Sequence, residues 1–330
     1  MANPATPYVA LKYPLDGEFG EAVPLTDADK IREYMRRYNM VVIDSVLSEK
    51  QCAKSVRAMW AEANALGNGR LDPDDPTSWD DENWPLPDHP YLFTNRAFSK
   101  RAWKNLVNKN VNQAFAILFG TDELVATTPL WSIKRPTYGK KTSPWYVKPL
   151  VLHLDKDNTS EEYSADPIRY QASIALTDSD STTGGFAAVP GSANFVRANP
   201  TVWTAADQGK YILGGALTGH LHKAVQRIPV RAGNMIIWER GMCHANYSNL
   251  GYEPRITNFF TMVPARDWAF KLSKGDNMYD YVHDHPEYEA LMERHQWDDR
   301  ERKVLGLDRW DGKKKTRGRS RYGNVGLFYV

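Results

Sequence analysis

From Pro129 onward the chain is a succession of short apolar runs separated by turn residues, and no other feature narrows its fold so much. Leu130 to Lys134, Pro149 to Asp155, Tyr170 to Thr177, Ala187 to Val189, Ala224 to Val230, Met235 to Trp238 and Arg255 to Val263 each read as a strand. In the run from Tyr170, residues Tyr170, Ala172, Ile174 and Leu176 fall on one face and Gln171, Ser173 and Ala175 on the other, because side chains two apart share a face. One face is apolar and the other small or polar. Evenly spaced short strands of this kind indicate a sandwich or barrel.

Helical signals precede the strands. Thr26 stands three residues ahead of Asp29, and Ile31, Tyr34 and Met35 follow at the spacing of one helix face. Met40 to Ile43 reads as a buried strand. Ser48 with Gln51 forms a capping-box pattern before Val56, Met59, Trp60 and Ala63, and Gly67 and Gly69 stop that helix. A further helix is expected from Ser99 through Ala102, Leu106, Val111, Phe115 and Leu118 to Gly120, and a late one over Pro286 to His295. Between Gly69 and Phe98 no periodicity survives, and a loop of that length invites a functional reading as a lid. Its Trp79 and Trp84, like Trp145, either pack on a substrate or staple a loop.

The chemistry centres on His153-Leu154-Asp155. On an extended strand the imidazole and the carboxylate face the same way and can reach one metal ion. His244, closing the segment from Asn234 through Trp238, supplies a third ligand. Two imidazoles and one carboxylate leave coordination positions open, the arrangement associated with non-heme Fe(II) oxygenases.

Three further runs are distinctive: Gly184-Gly185 through Val189-Pro190-Gly191-Ser192, Val230 through Gly233 to Trp238, and His244-Ala-Asn246 through Asn249 to Arg255. Together with the opening helix, strand and second helix from Asp29 to Gln51, they resemble the phytanoyl-CoA dioxygenase-like family over roughly Thr26 to Pro264. The resemblance implies a mainly β fold with flanking helices and a double-stranded β-helix core of the jelly-roll or cupin-like kind. Length by itself does not decide between one domain and two, and the expectation is one domain over 1–330: a mostly helical part at 1–125 containing the 69–98 loop, a core at 126–265, and a helical extension with a basic tail at 266–330. Two departures, Ala193-Asn194 after the Pro-Gly-Ser run and Asn234 after Gly233, bear on substrate and turn geometry and not on the metal ligands.

The resemblance further implies Fe(II) held by His153, Asp155 and His244, with 2-oxoglutarate as cosubstrate and O2 as oxidant. Retention of Asp155 favours an oxygenase over the related halogenases. Arg255 is the expected partner of the far carboxylate, since a guanidinium offers a planar fork to two oxygens. Thr257 follows on the same strand face, Asn246 lies two residues beyond His244, and Lys134 is a further candidate for cosubstrate contact. The expected reaction oxidises a C–H bond of a small metabolite, by hydroxylation, desaturation or oxidative cyclisation, with release of succinate and CO2. Gln171, Ser173, Lys140, Lys141, Arg197 and Arg240 hint at an anionic or amino-acid-like substrate. The alternatives are the same chemistry on a protein or nucleotide side group, or a cupin-like module that only binds.

Composition excludes little else. In 330 residues, 42 Lys and Arg against 40 Asp and Glu leave a formal charge of +2, which gives no global pull toward nucleic acid or membrane. The charges cluster locally, acidic from Asp72 to Glu82 and basic from Lys313 to Arg321, and the basic run reads as a solvated tail. Two cysteines cannot build a disulfide framework, and with no leader-like or membrane-spanning apolar run the expectation is a cytoplasmic protein. Cys243 should point away from the metal, and His220-x-His222 should lie at the surface.

Overall fold

The computed structural model describes residues 9–85, 91–93, 100–126, 129–146, 152–155, 169–198, 211–212, 221–266 and 292–312, with backbone only at 91–93 and 211–212. Near the N-terminus β1 (Leu15–Asp16) and β2 (Phe19–Gly20) form a hairpin, and β3 (Ala22–Val23) leads to α1 (Ala28–Tyr38). The helix is capped by Asp27, one residue later than Thr26, since the Asp27 carboxylate accepts from the Lys30 N–H. Asn39 closes it in the left-handed conformation and passes the chain into β4 (Met40–Ile43), all four residues of which are buried.

Helix α2 (Glu49–Leu66) begins with the expected capping box of Ser48 and Gln51. After β5 (Tyr91–Phe93), the single helix read from Ser99 to Gly120 is two: α3 (Lys100–Leu106) and α4 (Lys109–Phe119). Asn108 separates them because its side chain accepts from the Asn110 N–H, a cap that competes with continued helix. Then come β6 (Leu124–Ala126), β7 (Leu130–Lys134), β8 (His153–Leu154), β9 (Tyr170–Ala175) and β10 (Gly185–Ala188), followed by α5 (Ser192–Ala198). The remaining strands are β11 (Tyr211–Ile212), β12 (Gln226–Arg227), β13 (Met235–Glu239), β14 (His244–Tyr247), β15 (Arg255–Phe260) and β16 (Met262–Pro264), and α6 (Asp299–Val304) follows.

The expected strands are present, with Met40–Ile43 and Leu130–Lys134 at the expected bounds and those at 149–155 and 170–177 shorter. The one anticipated over Ala224 to Val230 is reduced to β12, and that from Arg255 to Val263 breaks at Thr261 into β15 and β16. The first part of the strand expected from Pro149, residues 149–151, lies outside the described residues, as do the late helix up to Leu291, His220 and the basic tail.

Two sheets carry the fold. The larger runs β3-β4-β13-β9-β15-β7-β5 and the smaller β11-β8-β14-β10-β12, and among the described residues neither closes on itself. Alternation now acquires direction. Ala172, Ile174, Met235, Ile237, Ile256 and Phe260 join the main core, where Phe115 of α4 lies 6.0 Å from Phe260. Ser173, Ala175, Ile236, Arg255, Thr257 and Phe259, on the opposite face of their strands, line a cavity with Phe186 and Asn246, Ala175 and Ile236 touching the main core as well.

The first half of the long loop is packed down. Trp79 stacks on Trp60 of α2, Trp84 meets the same ring edge-on, and both are buried. Arg135 lies between the rings of Trp84 and Trp145, pairs with Asp81 at 2.8 Å, and donates to the Trp79 carbonyl. Trp79 and Trp84, buried against a protein ring and a guanidinium, serve as staples over 79–85, and half-buried Trp145 packs on the same Arg135. The side chains of Tyr91 and Phe93 are outside the described residues.

Candidate metal centre and cosubstrate pocket

His153 and His244 stand directly opposite each other where β8 pairs with β14, so the two imidazoles face each other with ring centroids 4.5 Å apart. Asp155, just past the end of β8, is held by its N–H donating to the Arg240 carbonyl at 3.2 Å. Its Oδ1 lies 3.5 Å from His153 Nε2 and its Oδ2 3.3 Å from His244 Nε2. One potential ligand atom from each residue falls within 4.8 Å of the others, and this is the one such cluster of His, Cys, Asp and Glu among the described residues. Ligand atoms around one small ion stand about 3 Å apart, given bonds near 2.1 Å, so the cluster is close to a closed metal shell.

The surroundings prepare the ligands. The Nδ1 of His244 meets the Met242 carbonyl at 2.9 Å, which favours the tautomer with Nδ1 protonated and leaves the Nε2 lone pair for a metal. Phe186 stacks on the His244 ring at 5.7 Å and Trp238 lies tilted over it at 5.4 Å. Burial alone would raise the Asp155 carboxyl, but His244, His153 and Arg240 outweigh it and hold the group well below the usual range. The carboxylate is thus ionised, as a ligand must be. Cys243 points the other way, into an apolar cluster with Leu152, Leu154 and Val189, and burial pushes its thiol up to about 12. His222 is exposed.

Arg255 enters the space between the sheets from β15. It is only 2% exposed, and its Nε and Nη2 are sealed from solvent without a hydrogen-bond partner. Burial pulls its pKa down to about 10. Lys134 is its direct cross-strand neighbour, buried too, and burial followed by the Arg255 charge holds the amine well below its ordinary range. Two buried cations side by side, one with idle donors, fit a carboxylate. Thr257 and Asn246 line the same cavity, whereas Lys134 stands beside it and is not part of its wall.

Gly184 and Gly185 explain how the guanidinium fits. A Cβ on Gly185 would lie 2.2 Å from Ser179 Oγ and 3.1 Å from Arg255 Nη1, and one on Gly184 would lie 2.4 Å from the Ser248 carbonyl oxygen. Sequence reasoning named this glycine pair without its purpose, and it missed Ser179, Phe186, Val230, Ile236 and Phe259 in the cavity wall. Alternation from Thr257 could have found Phe259, and alternation along β13 Ile236; Ser179 has no local signal. Of the cations thought to mark a substrate, Arg197 is engaged with Glu239, Lys140 and Lys141 belong to an outer turn, and Arg240 is the one felt by the metal-site carboxylate.

No family model matches the chain. A protein of Dictyostelium discoideum, a phytanoyl-CoA dioxygenase by name, is 23% identical over 272 residues, covering 70% of this chain and 74% of its own length. Two solved structures are similar in fold. The epimerase SnoN, in complex with Fe3+, alpha ketoglutarate and nogalamycin RO, has a TM-score of 0.51 and 19% identity over 73% of this chain and 84% of its own. EctD from S. alaskensis with bound Fe has a TM-score of 0.51 and 15% identity over 77% of this chain and 83% of its own. In sequence the chain is thus similar to a protein named as a phytanoyl-CoA dioxygenase, and its fold, shared with these two structures, is the cupin-like double-stranded β-helix.

Proposed function

We propose that the protein is an Fe(II)- and 2-oxoglutarate-dependent oxygenase that oxidises a C–H bond of a small organic molecule, with succinate and CO2 as coproducts. The observation that carries this reading is the His153, Asp155 and His244 cluster next to a cavity that Arg255 lines with its buried Nε and Nη2 unsatisfied, Phe186 of the cavity wall stacking on the His244 ring. His153, Asp155 and His244 would hold the iron, and Arg255, Thr257 and Asn246 the cosubstrate, with Lys134 beside Arg255 across the strand pair. Iron with bound 2-oxoglutarate supplies the activation of O2. The protein supplies placement and shelter. Arg255 orients the cosubstrate through its far carboxylate, while Phe186, Val230, Ile236 and Phe259 keep the cavity wall apolar against water. Trp238 and Phe186 hold the His244 ring in plane. Arg240, the cation beside Asp155, makes anionic and amino-acid-like molecules the first class to test as substrates.

Anaerobic addition of Fe(II) and then 2-oxoglutarate should produce a weak visible charge-transfer band, and a metabolite screen for stimulated succinate release should then identify the substrate. Tight metal binding with no band and no 2-oxoglutarate uptake would instead indicate a cupin-like binding module.

A further inference from the structure

Asn258 is a polar residue where the fold calls for an apolar one. It lies in the middle of β15 on the face turned toward the helices, fully buried, between Ile256 and Phe260, both of which belong to the main core. Its amide nitrogen donates to the Leu130 carbonyl of β7 at 3.1 Å, and its Oδ1 accepts from Asn105 of α3 at 3.3 Å. Asn105, fully buried as well, accepts from Ser55 Oγ of α2, which in turn receives the Arg101 Nε–H. A chain of side-chain hydrogen bonds thus runs from two helices to the back of the strand whose front carries Arg255 and Thr257.

Alternation of apolar residues cannot set the register of β15 by itself. A slip of one residue would turn Arg255 and Thr257 into the core and is excluded by that cost. A slip of two keeps every residue on its proper face, yet moves Arg255 away from Lys134 and Thr257 away from Ser132. It would also carry the Asn258 amide away from Leu130 and Asn105 into apolar surroundings, leaving buried polar groups without partners. The Asn258 contacts thus penalise the even slips that alternation by itself permits.

We infer that Asn258, anchored by Asn105, is a positioning residue that locks β15 against β7 and so places Arg255 for the cosubstrate. The inference rests on the reading of Arg255 as the 2-oxoglutarate anchor. Asn258→Val should lower the melting temperature and weaken 2-oxoglutarate at least about fivefold in the anaerobic Fe(II) titration. Fe(II) affinity should not change, because the proposed ligands lie on the other sheet. The decisive variant is Asn105→Ala with Asn258→Val, since removing both partners of a buried hydrogen bond is far less costly than removing one. Its melting temperature should recover while 2-oxoglutarate affinity stays weakened. Recovery of both together, or wild-type 2-oxoglutarate affinity in the single variant, would reduce Asn258 to a contributor to stability and overturn the inference. If the single variant does not accumulate, the double variant decides alone. Wild-type protein that binds Fe(II) but not 2-oxoglutarate would refute the cosubstrate reading instead; hydrogen exchange at 130–134 and 255–260 then judges the register lock, faster exchange in the double variant supporting it and unchanged exchange refuting it.

Discussion

Replacing Arg255 with Met should make the ligand-free protein more stable and the cosubstrate nearly unable to bind. Burial lowers the Arg255 pKa from its ordinary value to about 10. At about 1.4 kcal/mol per decade, that fall corresponds to roughly 3 kcal/mol of unfavourable charge burial. The sign follows from linkage: a base whose folded pKa lies below its unfolded value destabilises the fold while charged. The cost is fully present below about pH 10 and fades only as pH climbs from there toward the ordinary guanidinium range. At neutral pH it is all there. Met keeps most of the side-chain volume, removes the sealed Nε and Nη2, and relieves the repulsion felt by Lys134. Apolar replacement of a buried charge typically gains about 1 to 3 kcal/mol, a rise of a few degrees in melting temperature for a chain of this size. Against 2-oxoglutarate the same change removes one side of a buried charged pair, about 2 to 5 kcal/mol, or some 30-fold to several thousand-fold in affinity. Arg255→Lys should restore only part of it. The assay is calorimetric melting in a buffer free of phosphate and carboxylates, beside anaerobic titration of 2-oxoglutarate into the Fe(II) protein. A destabilised Arg255→Met variant that still binds 2-oxoglutarate like wild type would refute the argument on both counts.

His153→Ala and His244→Ala should each abolish product formation and lower bound iron, measured by metal analysis, while circular dichroism stays that of the wild type; substantial turnover by His244→Ala in excess iron would remove it from the metal site. Gly185→Ala should weaken 2-oxoglutarate without affecting Fe(II), because its Cβ would press on Ser179 Oγ and Arg255 Nη1 at a backbone φ of +123°; equal 2-oxoglutarate titrations would show that the corner yields. Trp84→Ala should cost about 3 to 5 kcal/mol in denaturant unfolding, as expected for a buried aromatic, with unchanged succinate formed per product; loss of coupling without loss of stability would restore the lid reading for 79–85.

Short-range pattern in the sequence carried much of the result. His153 and Asp155 share a face because strand side chains repeat every two residues, and that holds wherever the strand is placed. The same period put Arg255 and Thr257 together and turned Cys243 away from His244. Capping chemistry was local enough to read at Ser48 and Gln51, and it misled between α3 and α4 only because Asn108 was read as a helix interior residue and not as a cap. What no local pattern could decide is which neighbour a face meets. The two faces of β9 were legible, but that Ser173 and Ala175 line the cavity while Ala172 and Ile174 meet the core depends on helices that follow other parts of the chain. The pairing of His153 with His244, separated by ninety-odd residues, sets the metal cluster through strand register. Trp79 and Trp84 looked exposed among aspartates and prolines; Trp60 and Arg135, distant in sequence, bury them. Periodicity is a property of the backbone and is written in each segment, whereas burial and register are properties of pairs, and the partner of each pair is chosen only when the sheets close over their core.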